Sequence, residues 1–385
     1  MPQHGLTIEQ MQEAVDAVAK YGSQNEAARQ LGIPRPTFLN RYRKGVAKGL
    51  DQAIVHPAPQ GHTVKGVSTM YDAGGNIAAQ WVKTALGPSL ETIAEAIRDA
   101  LDGYSAPPPS NPPSAQTDAS LATVYPLADW HIGLLAWHKE TGEDWDLNIA
   151  KDIIGRAMRR LIAQSPPSEQ GVVLGLGDLL HADNYENRTT RSGHVLDVDG
   201  RYPKVLRVAT ELVIEAIDLA LAKHARVLVR LIPGNHDDQS AIAVSLALAM
   251  RYSNDPRVTV DDSASRFWWW RWGKVFLGAA HGDQTKMQDL PLVMAARNPD
   301  DWGASRYRMI MTGHIHHRSK INAAKEYGGV EVESFNTPTA RDAYGEGRGY
   351  TSGRSVHSIT FDRDLGEVGR VRSNIVGTLD LQASR

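Results

Sequence analysis

Apolar residues at Ile8, Met11, Val15 and Val18 recur with a helical period, and Thr7 and Gln10 have capping-box spacing, so a helix is expected to open the chain. Ser23 and Glu26 make a second capping box ahead of a short helix from Gln24 to Leu31. Gly32, Ile33 and Pro34 form a tight turn, and a third helix is expected from about Arg35 to Lys44, with Pro36 tolerated in its first turn. On that helix Phe38, Leu39, Tyr42 and Val46 can share an inward face, leaving Arg35, Thr37, Asn40, Arg41 and Lys44 outward. Further on, Val64, Val67 and Thr69 lead through a Gly-rich turn to Ile77–Val82, the pattern of a hairpin. Ser89 then caps a helix with Leu90, Ile93, Ile97 and Leu101 on one face.

From residue 121 the pattern changes to short apolar runs that each stop at a metal-binding residue type. Leu121–Leu127 stops at Asp129 and His131, and Gly171–Leu176 at Asp178. Arg226–Ile232 stops at Asn235, His236 and Asp237, Val275–Ala280 at His281, and Met309–Met311 at His314 and His316. Helical segments around 148–163 and 203–223 intervene, so the runs read as strands alternating with helices. Strands that all end in ligand types place those ligands along one sheet edge, on loops held by a rigid scaffold.

Four segments follow: residues 1–50, a helix-turn-helix; 51–104, hairpin plus helix; 105–120, a Pro- and Ser-rich linker; and 121–385, an α/β catalytic domain. The segment 51–104 reads as an interaction or homodimer element or as a spacer. Between Lys20 and Lys48 there are seven basic residues against one acid, Glu26, which suits a DNA-facing helix pair, while the whole chain carries a formal net charge of -2. There is no cysteine, so thiolate sites are excluded and any metal must be held by His, Asp, Glu or Asn. With no signal-peptide pattern and no apolar run of membrane-spanning length, a cytoplasmic setting and no membrane partner are expected.

The motifs Asp129-Trp130-His131, Gly177-Asp178, Gly234-Asn235-His236-Asp237, His281-Gly282-Asp283 and Gly313-His314-Ile315-His316, in this order, resemble the metallophosphoesterase (calcineurin-like) superfamily over about residues 121–320. The resemblance implies an αββα sandwich with two divalent metals at its edge, manganese first, with iron, zinc or magnesium as alternatives. It assigns Asp129, His131 and His316 to one ion, Asn235, His281 and His314 to the other, and Asp178 to both. A hydroxide shared by the ions would attack phosphorus in line, with His236 assisting the leaving oxygen and Asp237 either orienting His236 or serving as a turn residue.

The stretches Asp129–Gly133 and Gly177–His181 are similar to the DNA-repair exonuclease branch, and a fused helix-turn-helix to the phage and prophage members, which implies a bacterial or phage-infected cell. The insertion 184–204 carries Arg188, Arg191, Arg201 and Lys204 but also Asp197 and Asp199. Together with Arg348 of a Gly-rich segment and with His181, which can equally pack at a helix start, Arg188 and Arg191 are candidate substrate contacts. The aromatic run Phe267–Trp272 is expected to fill a core on a strand rather than to stack on bases. About seventy residues follow His316, too short for an added docking module, so no ATPase partner is expected. The expected function is a DNA exonuclease or endonuclease. A phosphomonoesterase or cyclic-nucleotide phosphodiesterase is the alternative, and a DNA-binding regulatory or packaging protein with a vestigial site a further one.

Overall fold

The computed structural model describes residues 8–47, 62–71, 77–86, 108–113, 115–189, 192–315, 319–320, 329–349 and 353–375. The chain divides into two compact units, Met1–Ser105 and Ala106–Arg385.

In the first unit, α1 (Ile8–Tyr21), α2 (Gln24–Gln30) and α3 (Arg35–Ala47) follow the expected pattern. Ser23 caps α2 by accepting the Glu26 amide at 3.2 Å. Ala14, Ala17, Ala27, Ala28 and Phe38 form the core, with Ile33 and Tyr42 packed on it. The small alanines let the helices cross closely. The inward face of α3 differs from the expected one at its end: Val46 is exposed and Gly45 is buried. A Cβ at Gly45 would press on Val15 and on the Met11 carbonyl, so glycine is what allows α1 its approach. Arg41 is also not fully outward; it is only 18% exposed and pairs with Glu13 of α1 at 3.6 Å. Arg35, Thr37, Asn40 and Lys44 are exposed, as expected, and Arg35 donates to Asn25 at 2.8 Å. The hairpin is β1 (His62–Tyr71) paired antiparallel with β2 (Ile77–Leu86). Thr7 and the helix expected after Ser89 lie outside the described residues.

The second unit is built on two sheets. One runs in the order β13 (Gly366–Asn374), β12 (Ser355–Asp362), β3 (Asp118–Leu127), β4 (Ser168–Gly175), β5 (Arg226–Leu231) and β6 (Val258–Asp261), with β3 to β6 parallel. The other runs β10 (Ser319–Lys320), β11 (Glu331–Ser334), β9 (Tyr307–Thr312), β8 (Val275–Ala280) and β7 (Phe267–Trp272). Strand alternation sorts the side chains into layers. Val124, Val172 and Leu174 of the first sheet meet Trp268, Leu277 and Met309 of the second in an intersheet core. The opposite face of the first sheet carries Tyr125, Val173 and Val229 against helices α4 (Leu147–Gln164), α5 (Tyr202–Leu221) and α6 (Ser240–Arg251). The outer face of the second carries Phe276 and Ile310 against α7 (Leu290–Arg297). The result is the expected αββα layering. The Pro- and Ser-rich stretch is shorter as a linker than expected: β3 already starts at Asp118, and Arg257 donates to the Ser110 hydroxyl at 2.9 Å, holding that segment on the second unit.

The aromatic run is β7. Trp268, Trp270 and Trp272 face the intersheet core, with successive ring centroids 6.0 and 5.7 Å apart, while Phe267 and Trp269 face α7. The expected packing role holds, and Trp272 donates its indole N–H across to the Ser120 carbonyl at 2.9 Å. Glu333 of β11 is fully buried and accepts two bonds from Arg370 of β13, at 2.8 and 2.7 Å, tying the two sheets by a charge pair.

His224 shows how completely this core excludes water. Its Nδ1 accepts the Ser168 amide at 3.2 Å, so Nε2–H is left to donate to Tyr125 at 2.8 Å. Burial, aided by Lys223, pushes its pKa down from 6.5 to about 4. The unfolded chain therefore takes up this proton at higher pH than the folded one. The neutral ring contributes its full stability above about pH 6.5, and that is lost as pH falls toward 4, about 3 kcal/mol in all. The stability gap between the parent and His224→Gln, measured by urea unfolding followed by tryptophan fluorescence, should narrow by that order between pH 7 and pH 4. A gap constant with pH would refute the assignment.

Candidate metal centre

Every strand that enters the site stops where the backbone must turn sharply. Among the described residues, five non-glycine residues have positive φ, and four of them are Asp129 (50°), His131 (42°), Asp178 (53°) and His314 (69°). Such conformations cost energy in non-glycine residues and persist where surrounding contacts over-determine them. Here the contacts are visible. Asp129 accepts the His314 amide with both oxygens, at 2.9 and 3.0 Å. Its carbonyl accepts from Thr337 at 2.6 Å, and the Trp130 carbonyl from Thr339 at 2.5 Å. The Asp178 carboxylate accepts the His236 amide at 2.8 Å.

Three glycines set how closely these loops meet. A Cβ at Gly234 would collide with the Asp178 carboxylate, one at Gly177 with the His281 ring, and one at Gly313 with the Asp129 carboxylate. No larger residue fits between the ligand types at these points.

The structure brings together Asp129, His131 and Asp178; Asp178, His281 and His314; and His131, His181 and His236, the ligand atoms within each trio lying within 4.8 Å of one another. The first two trios share Asp178. Asn235 joins the second, its Oδ1 3.0 Å from His281 Nε2. His316, expected as a ligand, lies outside the described residues, as does Arg191.

Donor chemistry tests whether cations fit. His281 Nδ1 donates to the Leu176 carbonyl at 2.8 Å, which leaves Nε2 bare in the neutral ring. That bare nitrogen points at two acceptors, Asp178 at 3.2 Å and Asn235 at 3.0 Å. Three lone pairs converging on one point are repulsive unless a positive charge sits among them. With the chain alone, a proton takes that place. Burial would lower the His281 pKa, but Asp178 and Asp129 outweigh it and hold it at about 10. Burial would likewise raise Asp178, yet His281, His236 and His131 hold it well below the carboxylate range. Asp129 is pushed by burial up to about 8. The donor set of imidazole, carboxylate and amide can therefore hold two divalent cations.

Two residues whose roles stood open have defined contacts. Asp237 does not orient His236. Its buried carboxylate accepts from the amides of Gly234 at 2.8 Å, Asp178 at 3.1 Å, Leu179 at 2.7 Å and Leu180 at 3.3 Å, binding the two central loops together. His236 is instead set by the His181 carbonyl, which its Nδ1 meets at 2.8 Å. The second is His181, which is buried inside the centre, with its Nδ1 3.2 Å from His131 Nδ1. One of these nitrogens must donate to the other; donation by His131 leaves its Nε2 facing Asp178, 3.9 Å away. A sequence signal for this existed in the spacing Asp178–His181, one helical turn, but not for Thr337, Thr339 or Arg266, which come from distant segments. Arg266 bonds Asp238 and lies 3.6 Å from Asp283, bridging the loops after β5 and β8.

The predicted contacts on the rim are less uniform. Arg188 is exposed and donates to the Gly193 carbonyl at 2.9 Å, closing its own loop. Arg348 is exposed over the Tyr344 ring at 5.2 Å. Arg354 is taken up by Glu143 at 3.0 Å.

Comparison with known proteins adds the following. Residues 7–49 match the family described as helix-turn-helix, Psq domain. No curated protein matches the chain. Among solved structures, a predicted phosphoesterase from Streptococcus pneumoniae is 9% identical, covering 67% of this chain and 99% of its own, with a TM-score of 0.27. A 5'-nucleotidase precursor from Thermus thermophilus is 11% identical, covering 68% of this chain and 55% of its own, with a TM-score of 0.32. A dimetal phosphatase from Danio rerio is 10% identical, covering 67% of this chain and 100% of its own, with a TM-score of 0.36. At these scores the likeness bears no weight, and the chemistry rests on the side chains.

Gly234→Ala should displace Asp178 and weaken binding of Mn²⁺ by about a hundredfold, while Asp237→Asn, which turns an amide N–H toward backbone donors, should weaken it about tenfold. Titration calorimetry, with near-UV circular dichroism to check the fold, measures both. Unchanged Mn²⁺ binding in a folded Gly234→Ala protein would remove this centre as the metal site.

Proposed function

We propose that the chain is a two-metal phosphodiesterase of the metallophosphoesterase kind, acting on DNA in the manner of the phage DNA-repair exonucleases. The observation that carries the chemistry is the sharing of Asp178 by two ligand trios. A carboxylate common to two sites is what a pair of ions about 3.5–4 Å apart requires. In this reading Asp129 and His131, with His316, hold one ion, and Asn235, His281 and His314 the other. Bound divalent ions, manganese by preference, supply the charge that acidifies water and neutralises phosphate oxygens.

The chain's own residues do the remaining work. Asp178 keeps the two sites in register. The His236 Nδ1–H bond to the His181 carbonyl fixes the ring, so Nε2 is the atom left to face the leaving oxygen, to which the imidazolium form would give its second proton, leaving the neutral ring with Nδ1–H still on the carbonyl. His181 holds the His131 ring from behind. The hydrophobic layers on both sides of the strand ends keep the carboxylates and imidazoles out of bulk water, where their fields would be screened.

DNA as substrate is supported by the first unit. Its match to a helix-turn-helix family and the exposed Arg35, Asn40 and Lys44 on α3 suit phosphate and base-edge contacts. A nucleic-acid substrate also fits a bacterial or phage-infected cytoplasm.

With Mn²⁺ present, the purified protein should hydrolyse labelled DNA, and Asp178→Asn should lower the rate by about a thousandfold or more. Cleavage of phosphomonoesters with DNA left intact would overturn the DNA reading in favour of a phosphomonoesterase. Arg35→Ala combined with Lys44→Ala should weaken duplex binding across all sequences and reduce the salt slope by about 2. Fluorescence anisotropy between about 50 and 200 mM salt checks this, and an unchanged slope would remove the docking role.

A further inference from the structure

Among the described residues of the second unit, the Tyr and Trp side chains that are more than half exposed are Trp137 (55%), Tyr185 (65%) and Tyr344 (53%). Exposed aromatics scattered singly are ordinary and become informative when they gather. All three stand on segments rooted in the metal centre. Trp137 lies six residues beyond His131, on a segment tied to it by the Leu134 amide and His131 carbonyl at 3.0 Å. Tyr185 lies four residues beyond His181. Tyr344 follows the stretch whose Thr337 and Thr339 hold the Asp129 and Trp130 carbonyls.

These segments also hold one another. Leu135 donates to Asp197 at 3.1 Å, and Leu134 and Val198 form a β-bridge, which joins the Trp137 segment to the insertion that starts at Asn184. His194 of that insertion meets the Tyr344 ring at 6.1 Å between centroids. The segments that carry the three aromatics are thus joined to one another.

Two of them carry a cation on the ring. Lys139 lies 5.4 Å from the Trp137 centroid and Arg348 5.2 Å from that of Tyr344. An aromatic face beside a cation matches a nucleotide, whose base stacks and whose phosphate is negative. Glu140 and Glu186 are exposed on the same segments, so these are not a plain basic track, and the rings must contribute much of the binding. A duplex keeps its bases stacked inside; only an unpaired strand can offer base faces to side chains.

We propose that Trp137, Tyr185 and Tyr344 form a stacking subsite for unpaired nucleotides of single-stranded DNA next to the scissile phosphate. This rests on the phosphodiesterase reading above and names the form of DNA that the centre receives. This set is distinct from the aromatic strand β7, whose rings face the core and α7.

The test uses the full chain and three ligands: a fluorescent oligo(dT), an abasic strand of equal length, and oligo(rU). Tyr185→Ala and Tyr344→Ala should each weaken oligo(dT) binding by roughly 5- to 150-fold, the range for loss of one stacked base. Binding of the abasic strand should stay within about twofold, because its phosphates are intact. Thermal melting identifies any variant that has lost its fold, and Tyr185→Phe and Tyr344→Phe, which keep the ring, should restore binding. Equal weakening toward oligo(dT) and the abasic strand, or no weakening of either, overturns the proposal. Tighter binding of oligo(rU) than of oligo(dT) overturns the assignment to DNA. Cleavage of oligo(dT) by the parent protein reports separately on the phosphodiesterase reading. Ring-dependent binding without cleavage sinks that reading alone, and cleavage without ring dependence sinks this one alone.

Discussion

Asp178 is the group on which the rest of the second unit depends. A buried carboxylate costs several kcal/mol unless its charge is met in place. Here it is met by the His236 amide and the His281 ring, with His131 close by, and it belongs to two ligand trios at once. Satisfying it requires the ends of β3, β4, β5 and β8 to converge to within a side chain's length. Within each sheet the ligand-bearing strands run parallel, β3 to β5 in one and β8 with β9 in the other, so their carboxyl ends lie on one edge of it. The layering of helices and sheets is the means of delivering those ends with little freedom.

Convergence has a cost in the backbone, seen in the positive φ angles of Asp129, His131, Asp178 and His314. The restoring contacts come from within the ligand loops and from beyond them. Asp237 gathers four amides from two loops, the threonines after β11 take two carbonyls, and Arg266 spans the loops after β5 and β8. A centre held in this way needs little rearrangement to accept cations, and its geometry resists the mutual repulsion of its acceptors.

Much of this was legible in the chain. Apolar runs ending in Asp, Asn or His marked β3, β4, β5, β8 and β9 to within a few residues, because a strand buried on both faces has no polar alternation to confuse its limits. The aromatic run was legible as a packed strand because alternating rings pack on both faces of a pleated strand. What escaped was whatever depends on distant partners. The four amides gathered by Asp237 and the pairing of Arg354 with Glu143 have no local signature. On α3 the error was smaller. Phe38, Tyr42 and Gly45 follow the helical repeat inward, and a glycine there is invisible to a search for apolar side chains, although its lack of bulk is what α1 requires.

The two units pose complementary demands on a nucleic acid. A helix-turn-helix presents a rigid helix suited to the groove of a duplex and gains little from unpaired bases. Exposed rings with cations on their faces gain little from a duplex, whose bases already stack on one another. Each module alone would bind weakly, since each offers a small surface, but covalent connection converts the second contact into an intramolecular one. Under the proposed reading, a ligand that satisfies both is one in which a paired stretch continues into an unpaired one. On this logic the chemistry would fall on the unpaired side, because the metal centre lies among the segments that carry the rings.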